Sequence, residues 1–366
     1  MALGVKACAD VKPNERLQHL IDSIRPTDPL AEERAWERLD SLTKPPRSLG
    51  RLEEIAAALA RIQGTDHPSV DRRAIILMAG DHGVVAEGVS PYPQSVTWQM
   101  VANFAAGGAA INQIASSVGA DLLLYDLGVV GDTSVLAGVN QAKVVGGTAN
   151  MRHGPALTRD QAVEALLAGA QAATEAADGG VRLLGTGEMG IGNTTAAAAL
   201  TAAYTRTPVE RVVGPGTGLD HAGVAHKMAV VGDALSRNVT HDSDALDVLA
   251  ALGGAEIAGL AGVMLGGAAR GACVLVDGFI SGAAALAAVA LCPPCRHYLL
   301  ASHRSMEPGH TVQLDHLGMM PVLDLDLRLG EGTGAALAMA LVDAACRMLS
   351  GMATFQEAGV SGSESA

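Results

Sequence analysis

Ala74-Ile-Ile-Leu-Met-Ala79, closed by Gly80-Asp81-His82-Gly83, is the stretch that decides the fold. Its apolar run has no polar alternation, so both faces of the segment must be buried. That is the mark of a strand in a parallel sheet, and the Gly-rich polar loop follows at its carboxyl end. Comparable runs recur at Asp121-Leu-Leu-Leu-Tyr125, Val181-Arg-Leu-Leu184, Cys273-Val-Leu-Val276, His297-Tyr-Leu-Leu300 and Val322-Leu-Asp-Leu325. Helix-like segments separate them at 96–117, 159–176, 194–204 and 255–268. Alternation of this kind predicts an α/β fold, a mostly parallel Rossmann-like sheet covered by helices. Towards the N-terminus, Leu17, Leu20, Ile21 and Ile24 recur at helical spacing, as do Leu52, Ile55, Leu59 and Ile62.

Four segments are expected. Residues 1–70 supply the N-terminal helical part of a small subdomain, and 71–330 form the α/β domain. Residues 331–352 return as a C-terminal helix to the small subdomain, and 353–366 form a disordered tail. There is no internal repeat. The 366 residues suit one large α/β domain or two domains. Aromatic residues are scarce, with 3 Phe, 2 Trp and 4 Tyr, so small aliphatic side chains and the 44 glycines must build the core. The net charge of −13 argues against a broad cationic face for nucleic acid or anionic lipid.

Cys8, Cys273, Cys292, Cys295 and Cys346 are too scattered for a disulfide framework. Residues 1–15 lack the apolar stretch of a signal peptide. The uncharged segment 278–295 is barely long enough for a membrane span and ends in two prolines, so it reads as a buried helix. These features predict a soluble, cytoplasmic protein.

Ligands of parallel sheets sit at the carboxyl ends of strands. Gly185-Thr-Gly187-Glu188-Met-Gly190 spells a dinucleotide fingerprint, with Glu210 twenty residues further on. Two details oppose a dinucleotide: Glu188 would face the pyrophosphate, and the segment continues as Gly192-Asn193-Thr194-Thr195. That continuation offers amides and hydroxyls at a helix N-terminus, suited either to one phosphate monoester or to simple capping. A second loop, Gly214-Pro-Gly-Thr-Gly-Leu-Asp220, precedes a helix carrying Lys227, which is either a surface charge or a phosphate partner. In Leu329-Gly330-Glu331-Gly332-Thr333-Gly334 a carboxylate stands between two glycines just past a strand. It reads either as an acid in the strand-end crevice or as a first-turn helix residue. His82, read by default as satisfied by backbone groups, and the segment holding Ser302, His303, Ser305 and His310 occupy further strand ends. No metal-ligand spacing is present, so no metal site is expected. Cys292-Pro-Pro-Cys295 ends a helix instead of starting one, which argues against a redox pair.

Several of these segments occur together with Lys44-Pro-Pro-Arg-Ser-Leu-Gly-Arg-Leu-Glu53, Ala79-Gly-Asp-His-Gly-Val84, Glu87-Gly-Val-Ser90, Gln99 and Val213-Gly-Pro-Gly-Thr-Gly218. In this order they resemble the nicotinate-nucleotide–dimethylbenzimidazole phosphoribosyltransferase family of cobalamin nucleotide-loop assembly, over about residues 17–348. One departure is Arg47, where Gly is expected in many relatives. The resemblance implies transfer of phosphoribose from nicotinate mononucleotide to 5,6-dimethylbenzimidazole, giving α-ribazole 5′-phosphate and nicotinate with anomeric inversion. It implies Glu331 as general base and Glu188 as a supporting carboxylate. Gly190, Asn193, Thr194, Lys227 and Ser305 would hold phosphate or ribose, while Gln99, Met319 and Leu329 would shape a slot of aliphatic and Met side chains for the base. It further implies a homodimer, and no cofactor, nucleic-acid or membrane partner is expected. Readings from other classes are an NAD-dependent oxidoreductase on Gly185–Gly190, a nucleosidase using Glu188 and Glu331, and a sensor that binds the nucleotide without turnover.

Overall fold

The computed structural model describes residues 12–361; Cys8, the rest of 1–11, and the end of the expected disordered tail at 362–366 lie outside the described residues. The decisive run forms strand β1 (Arg73–Gly80), buried from Ala74 onward. Five further strands join it: β2 (Asp121–Gly128), β3 (Val139–Gln141), β4 (Leu183–Met189), β5 (Cys273–Val276) and β6 (Leu299–Ala301). Their order is β3-β2-β1-β4-β5-β6, and every pairing is parallel. The chain therefore builds one half of the sheet outward from β1 and then returns to build the other half from β4. All carboxyl ends face the same edge, and the order reverses between β1 and β4, where open parallel sheets form their crevice.

The run at 322–325 does not join this sheet. It forms β8 (Leu323–Leu327), which pairs in parallel with β7 (His303–Ser305) in a separate two-stranded sheet. The physical reason lies in its composition: Asp324 and Asp326 alternate with leucines and are exposed, so the strand cannot be buried on both faces. The helical segment 96–117 is also broken, into Ser95–Ala105 and Ala110–Ser117. Gly107, at φ +78°, makes the break. The helix Pro29–Ser41, which Asp28 caps through the Leu30 amide, lies within the stretch expected to be helical, whereas the three-residue β3 is too short to leave an apolar run in the sequence.

Glycines set the distance between helical layers. A Cβ on Gly169, in the helix Arg159–Asp178, would fall 1.8 Å from the Gly259 carbonyl oxygen of the helix Ala255–Ala269. One on Gly262 would fall 1.9 Å from the Leu166 carbonyl oxygen, and one on Gly266 would fall 2.5 Å from that of Ala170. The two helices thus touch backbone to backbone over several turns, which uses the abundance of glycine directly. The apolar segment near 278–295 forms a 13-residue buried helix, Phe279–Leu291. At about 1.5 Å per residue it falls well short of a roughly 30 Å hydrocarbon core. The 19-residue helix Thr333–Gly351 is long and apolar enough to cross one, but 56% of its most apolar window is buried within the protein.

That helix lies against Arg51–Gln63 and Pro29–Ser41. Arg38 Nε donates to the Leu349 carbonyl at 2.8 Å, satisfying an acceptor at its C-terminal end. Residues 353–361, expected within a disordered tail, hold a defined conformation here. Thr354 bridges Leu42 in antiparallel fashion and caps the turn Phe355–Ala358. Arg47 has φ +60°, in the region that favours glycine, and its guanidinium lies 3.7 Å from the centroid of the Trp36 ring. That stacking offsets part of the backbone cost of the departure at this position. Gly169→Ala is expected to lower stability by about 1–3 kcal/mol through overpacking against a backbone that cannot yield. Urea denaturation checks this, and an unchanged midpoint would contradict it.

Candidate active site

A cavity of roughly 620 Å³ opens at the carboxyl ends of β4 and β5, beside the reversal of strand order. β4 delivers Glu188 to it. Gly185 and Gly187 lie inside the strand and not in a loop, so the fingerprint spelling does not form a phosphate-binding turn. They are small because other segments press on them. A Cβ on Gly185 would meet Ile75 Cδ1 at 2.4 Å, and one on Gly187 would meet the Glu331 carbonyl oxygen at 2.7 Å. The turn starts only at Gly190, which passes so close to β1 that a Cβ would fall 2.2 Å from the Gly80 carbonyl oxygen. It leads into the helix Asn193–Thr205, whose N-terminus has no side-chain cap. The amides of Asn193 and Thr195 already bond to the carbonyls of Gly190 and Gly192 at 3.0 Å each, so the Thr194 amide is the one of the first three left to an anion. Asn193 Nδ2 donates to the Glu188 carboxylate.

Glu331 reaches the same cavity from the turn after β8. Gly330, Glu331 and Gly332 take φ values of +82°, +63° and +85°, three left-handed residues in succession. For a non-glycine residue this costs roughly 1–2 kcal/mol, so the surroundings must hold it. Gly330 lies against Glu188, since a Cβ there would come 2.2 Å from Glu188 Oε1. Two acids 143 residues apart in sequence thus share one cavity wall. A third carboxylate, Asp277 at the end of β5, is buried beside them and accepts from the amides of Gly332 at 3.2 Å and Ala335 at 2.9 Å.

Burial and mutual repulsion disfavour ionisation of this group. The Glu188 carboxyl is pushed up to about 8, chiefly by burial and then by the charges of Asp277 and Glu256. Glu331 is pushed up to about 7, by burial and then by Asp277. Glu331 Oε2 is buried and has no hydrogen-bond partner among the described residues. A carboxylate with a pKa near 7 in the wall of a cavity is suited to accept a proton from a bound molecule.

A buried cation stands behind Thr194. Lys227, on the helix His221–Asn238, is fully buried and donates from Nζ to Thr194 Oγ1 at 2.8 Å. Desolvation pushes it down to about 8, partly opposed by Glu307. Lys227 stands behind the wall and reaches the cavity through Thr194 and the 214–217 loop, where Glu307 Oε1 accepts from the Gly216 amide at 2.9 Å. Ser305 lines the cavity at the end of β7, and its amide donates to His310 Nδ1 at 2.8 Å. Burial pushes His310 down to about 3, so the ring is neutral at physiological pH and presents an acceptor to that amide.

Of the residues singled out in sequence, Glu188, Gly190, Asn193, Thr194, Ser305, Leu329 and Glu331 meet in this one wall. Gln99 is exposed on the helix Ser95–Ala105, one residue before the lining Met100, and is not in the wall. Met319 is buried in the turn after the helix Pro308–Leu317 and is likewise absent from it. The apolar lining includes Val96, Met100, Ile191 and Ile280, but also Phe279 and Tyr92, so the slot is not purely aliphatic. His82 is satisfied by a carboxylate and not by backbone groups: Nε2 lies 2.5 Å from Glu256 Oε1, beneath Gly190 and outside the cavity. Cys292 and Cys295 are buried away from the site, in keeping with a packing role. Asp277, Glu307 and Glu256 were missed. Asp277 directly follows an apolar strand, a position that strand-end reasoning covers.

A family model described as Phosphoribosyltransferase matches residues 24–360. The nicotinate-nucleotide–dimethylbenzimidazole phosphoribosyltransferase of Chloroflexus aggregans is 52% identical over 345 residues, covering 94% of this chain and 98% of its own length. Its counterpart from Pseudomonas aeruginosa strain UCBPP-PA14 is 51% identical over 345 residues, covering 94% of this chain and 98% of its own length. The crystal structure of CobT from Thermus thermophilus superposes with a TM-score of 0.89 at 52% identity, covering 91% of this chain and 99% of that one.

Proposed function

The chain belongs to the nicotinate-nucleotide–dimethylbenzimidazole phosphoribosyltransferase family, and we propose that it transfers phosphoribose from nicotinate mononucleotide to 5,6-dimethylbenzimidazole, with inversion at the anomeric carbon. The products are nicotinate and α-ribazole 5′-phosphate, the lower-ligand building block of cobalamin. The observation that carries the reading is the pairing, across one cavity, of a near-neutral carboxyl at Glu331 with the anion-binding end formed by the 193–205 helix, Thr194 and Lys227.

The chemistry fits this division. Nicotinate in its nucleotide is already a pyridinium, so it departs without needing a proton. Attack by one ring nitrogen of the benzimidazole builds positive charge on the acceptor and acidifies its other N–H. One carboxylate beside that N–H suffices, and Glu331, in the cavity wall with a pKa near 7, has that role. Glu188, protonated at neutral pH and held by Asn193, lines the ribose side without adding a second negative charge. The Thr194 amide and hydroxyl, with Ser305, receive the phosphate, and Lys227 supplies charge from behind. Val96, Met100 and Leu329 flank the flat base. Confining both reactants in one cavity supplies part of the rate enhancement through orientation. Tyr92 and Leu329, 49% and 55% exposed at the cavity, support a homodimer in which the partner subunit covers that apolar rim.

Nicotinate release from nicotinate mononucleotide, followed by chromatography, is expected to require dimethylbenzimidazole and to yield the ribosylated base. Release without it would instead make the protein a hydrolase. The rate is expected to rise with pH through about 7 as Glu331 loses its proton. Glu331→Gln should lower kcat by roughly 10²–10⁴-fold with little change in nucleotide binding, and full turnover in that variant would remove the general-base role. Lys227, held down at about 8, should lose its charge above that pH, so nucleotide affinity is expected to fall as pH rises through 8. Calorimetry on Lys227→Ala should show weak binding at every pH; affinity equal to that of the parent would return Lys227 to a structural role. Light scattering should give a dimer mass, and a monomer that turns over fully would exclude a shared site.

A further inference from the structure

The Gly330–Glu331–Gly332 turn raises a physical problem that its own residues do not solve. It opens the helix Thr333–Gly351, whose first amides need acceptors. The usual remedy is a Ser, Thr, Asp or Asn at the N-cap, in extended conformation, accepting from the amides ahead of it. Here the N-cap is Gly332 at φ +85°, with no side chain to offer. A turn that is left-handed through residue 332 cannot also place a local capping side chain, so the acceptor must come from elsewhere in the chain.

It comes from Asp277. The carboxylate is 1% exposed, and its two oxygens accept separately: Oδ2 from the Gly332 amide at 3.2 Å and Oδ1 from the Ala335 amide at 2.9 Å. The first bond fixes the plane of the peptide between Glu331 and Gly332, which sets the conformation of Glu331 on its C-terminal side. The N-terminal side is fixed by the Gly330 carbonyl, which accepts from the Thr333 amide at 3.1 Å and from Thr333 Oγ1 at 2.8 Å. Asp277 is itself held from several strands. Its amide donates to Thr186 Oγ1 at 3.2 Å, Thr186 donates onward to the Leu275 carbonyl at 3.3 Å, and Ser302 Oγ donates to the Asp277 carbonyl at 3.1 Å. His303 Nδ1 lies 3.7 Å from Asp277 Oδ1. The chain of fixation therefore runs from the middle of β4 through Asp277 to the amide next to Glu331.

We propose that Asp277 is the positioning residue for Glu331: its buried carboxylate grips the amides of Gly332 and Ala335 and so holds the acid-bearing turn in its left-handed form during transfer. This rests on the reading of Glu331 as general base. A cap serving stability alone would act on the helix whether or not Glu331 is present. A positioning residue acts only through that side chain, and this difference separates the two roles.

The test is a double-mutant cycle in the full-length protein. Asp277→Asn keeps the size but removes one acceptor and the charge. It is expected to lower kcat roughly 10- to 100-fold, the range for a misplaced catalytic group, while KM for nicotinate mononucleotide stays within about twofold. In the Glu331→Gln background, read by single-turnover release of radiolabelled nicotinate over hours, the same substitution should have less than about a twofold further effect. An equal loss in both backgrounds, or a rise in KM without loss of kcat, would overturn the proposal. If Asp277→Asn does not fold, Thr186→Val serves in the same cycle. It removes the hydroxyl that anchors Asp277, and a smaller loss of kcat that vanishes beside Glu331→Gln is expected. Full turnover by Glu331→Gln alone would instead sink the general-base reading and leave Asp277 as a helix cap.

Discussion

The arrangement depends on one backbone-to-backbone contact. Gly187 in β4 and the carbonyl of Glu331 approach so closely that a single added carbon at 187 would lie 2.7 Å from the oxygen. This contact joins the middle of the sheet to the start of the last long helix, and it brings two acids from distant segments to one wall. Gly332 presses on the same strand, where a Cβ would meet the Thr186 carbonyl oxygen at 3.1 Å. Because the helix that follows ends against Arg38 and the N-terminal helices, the position of Glu331 is linked mechanically to both ends of the described chain. The scarcity of side-chain volume along this path is therefore structural: bulk at 187, 330 or 332 would separate the two acids.

An acid-rich site in a protein of net charge −13 is an unexpected place for a phosphorylated ligand, and local electrostatics resolve this. Charges on the outer surface are screened over roughly 8 Å at physiological salt. Inside the cavity, Glu188 at about 8 and Glu331 at about 7 carry much less than two negative charges at neutral pH. Lys227 at about 8 remains mostly charged there and stands behind Thr194. The cavity is thus divided into a nearly neutral acid end and a positive end reinforced by helix amides. A bound phosphate would favour the charged amine further, so the two would stabilise each other.

Strand positions and the helices between them were legible because burial on both faces leaves continuous apolar runs, as in residues 74–79. The separation of β8 was legible in principle from Asp324 and Asp326, whose charges forbid a fully buried strand. Within the site, Glu188, Asn193, Thr194 and Glu331 stand in glycine-rich spellings at strand ends, and the fold brings them together. Lys227 and Thr194 lie 33 residues apart, and nothing local announces that the amine turns inward to bond the hydroxyl. Asp277 was harder still. It follows a four-residue strand without a motif, and its partners at 332 and 335 lie more than fifty residues away. Spelling reports what a segment does with its own neighbours. Tertiary capping and the inward turn of a long side chain depend on segments remote in sequence.

The two glutamates show how environment divides similar groups between roles. Glu188 is the more deeply desolvated, faces more negative neighbours and has its carboxylate engaged by Asn193. Glu331 is pushed up less and keeps Oε2 without a partner. As pH rises, Glu331 therefore loses its proton first, and its new charge makes loss from Glu188 harder, because like charges at close range raise each other's pKa. Near neutrality the pair carries less than one negative charge on average, and Glu331 holds most of it. A proton acceptor placed this way is ionised where it is needed and is not already occupied. The neighbouring acid stays neutral and can donate a hydrogen bond to a ligand hydroxyl. One carboxylate alone in the same cavity would lack the partner that keeps the second position protonated, and two exposed ones would both ionise. Desolvation of the pair, with Asp277 behind it, disfavours the doubly charged state.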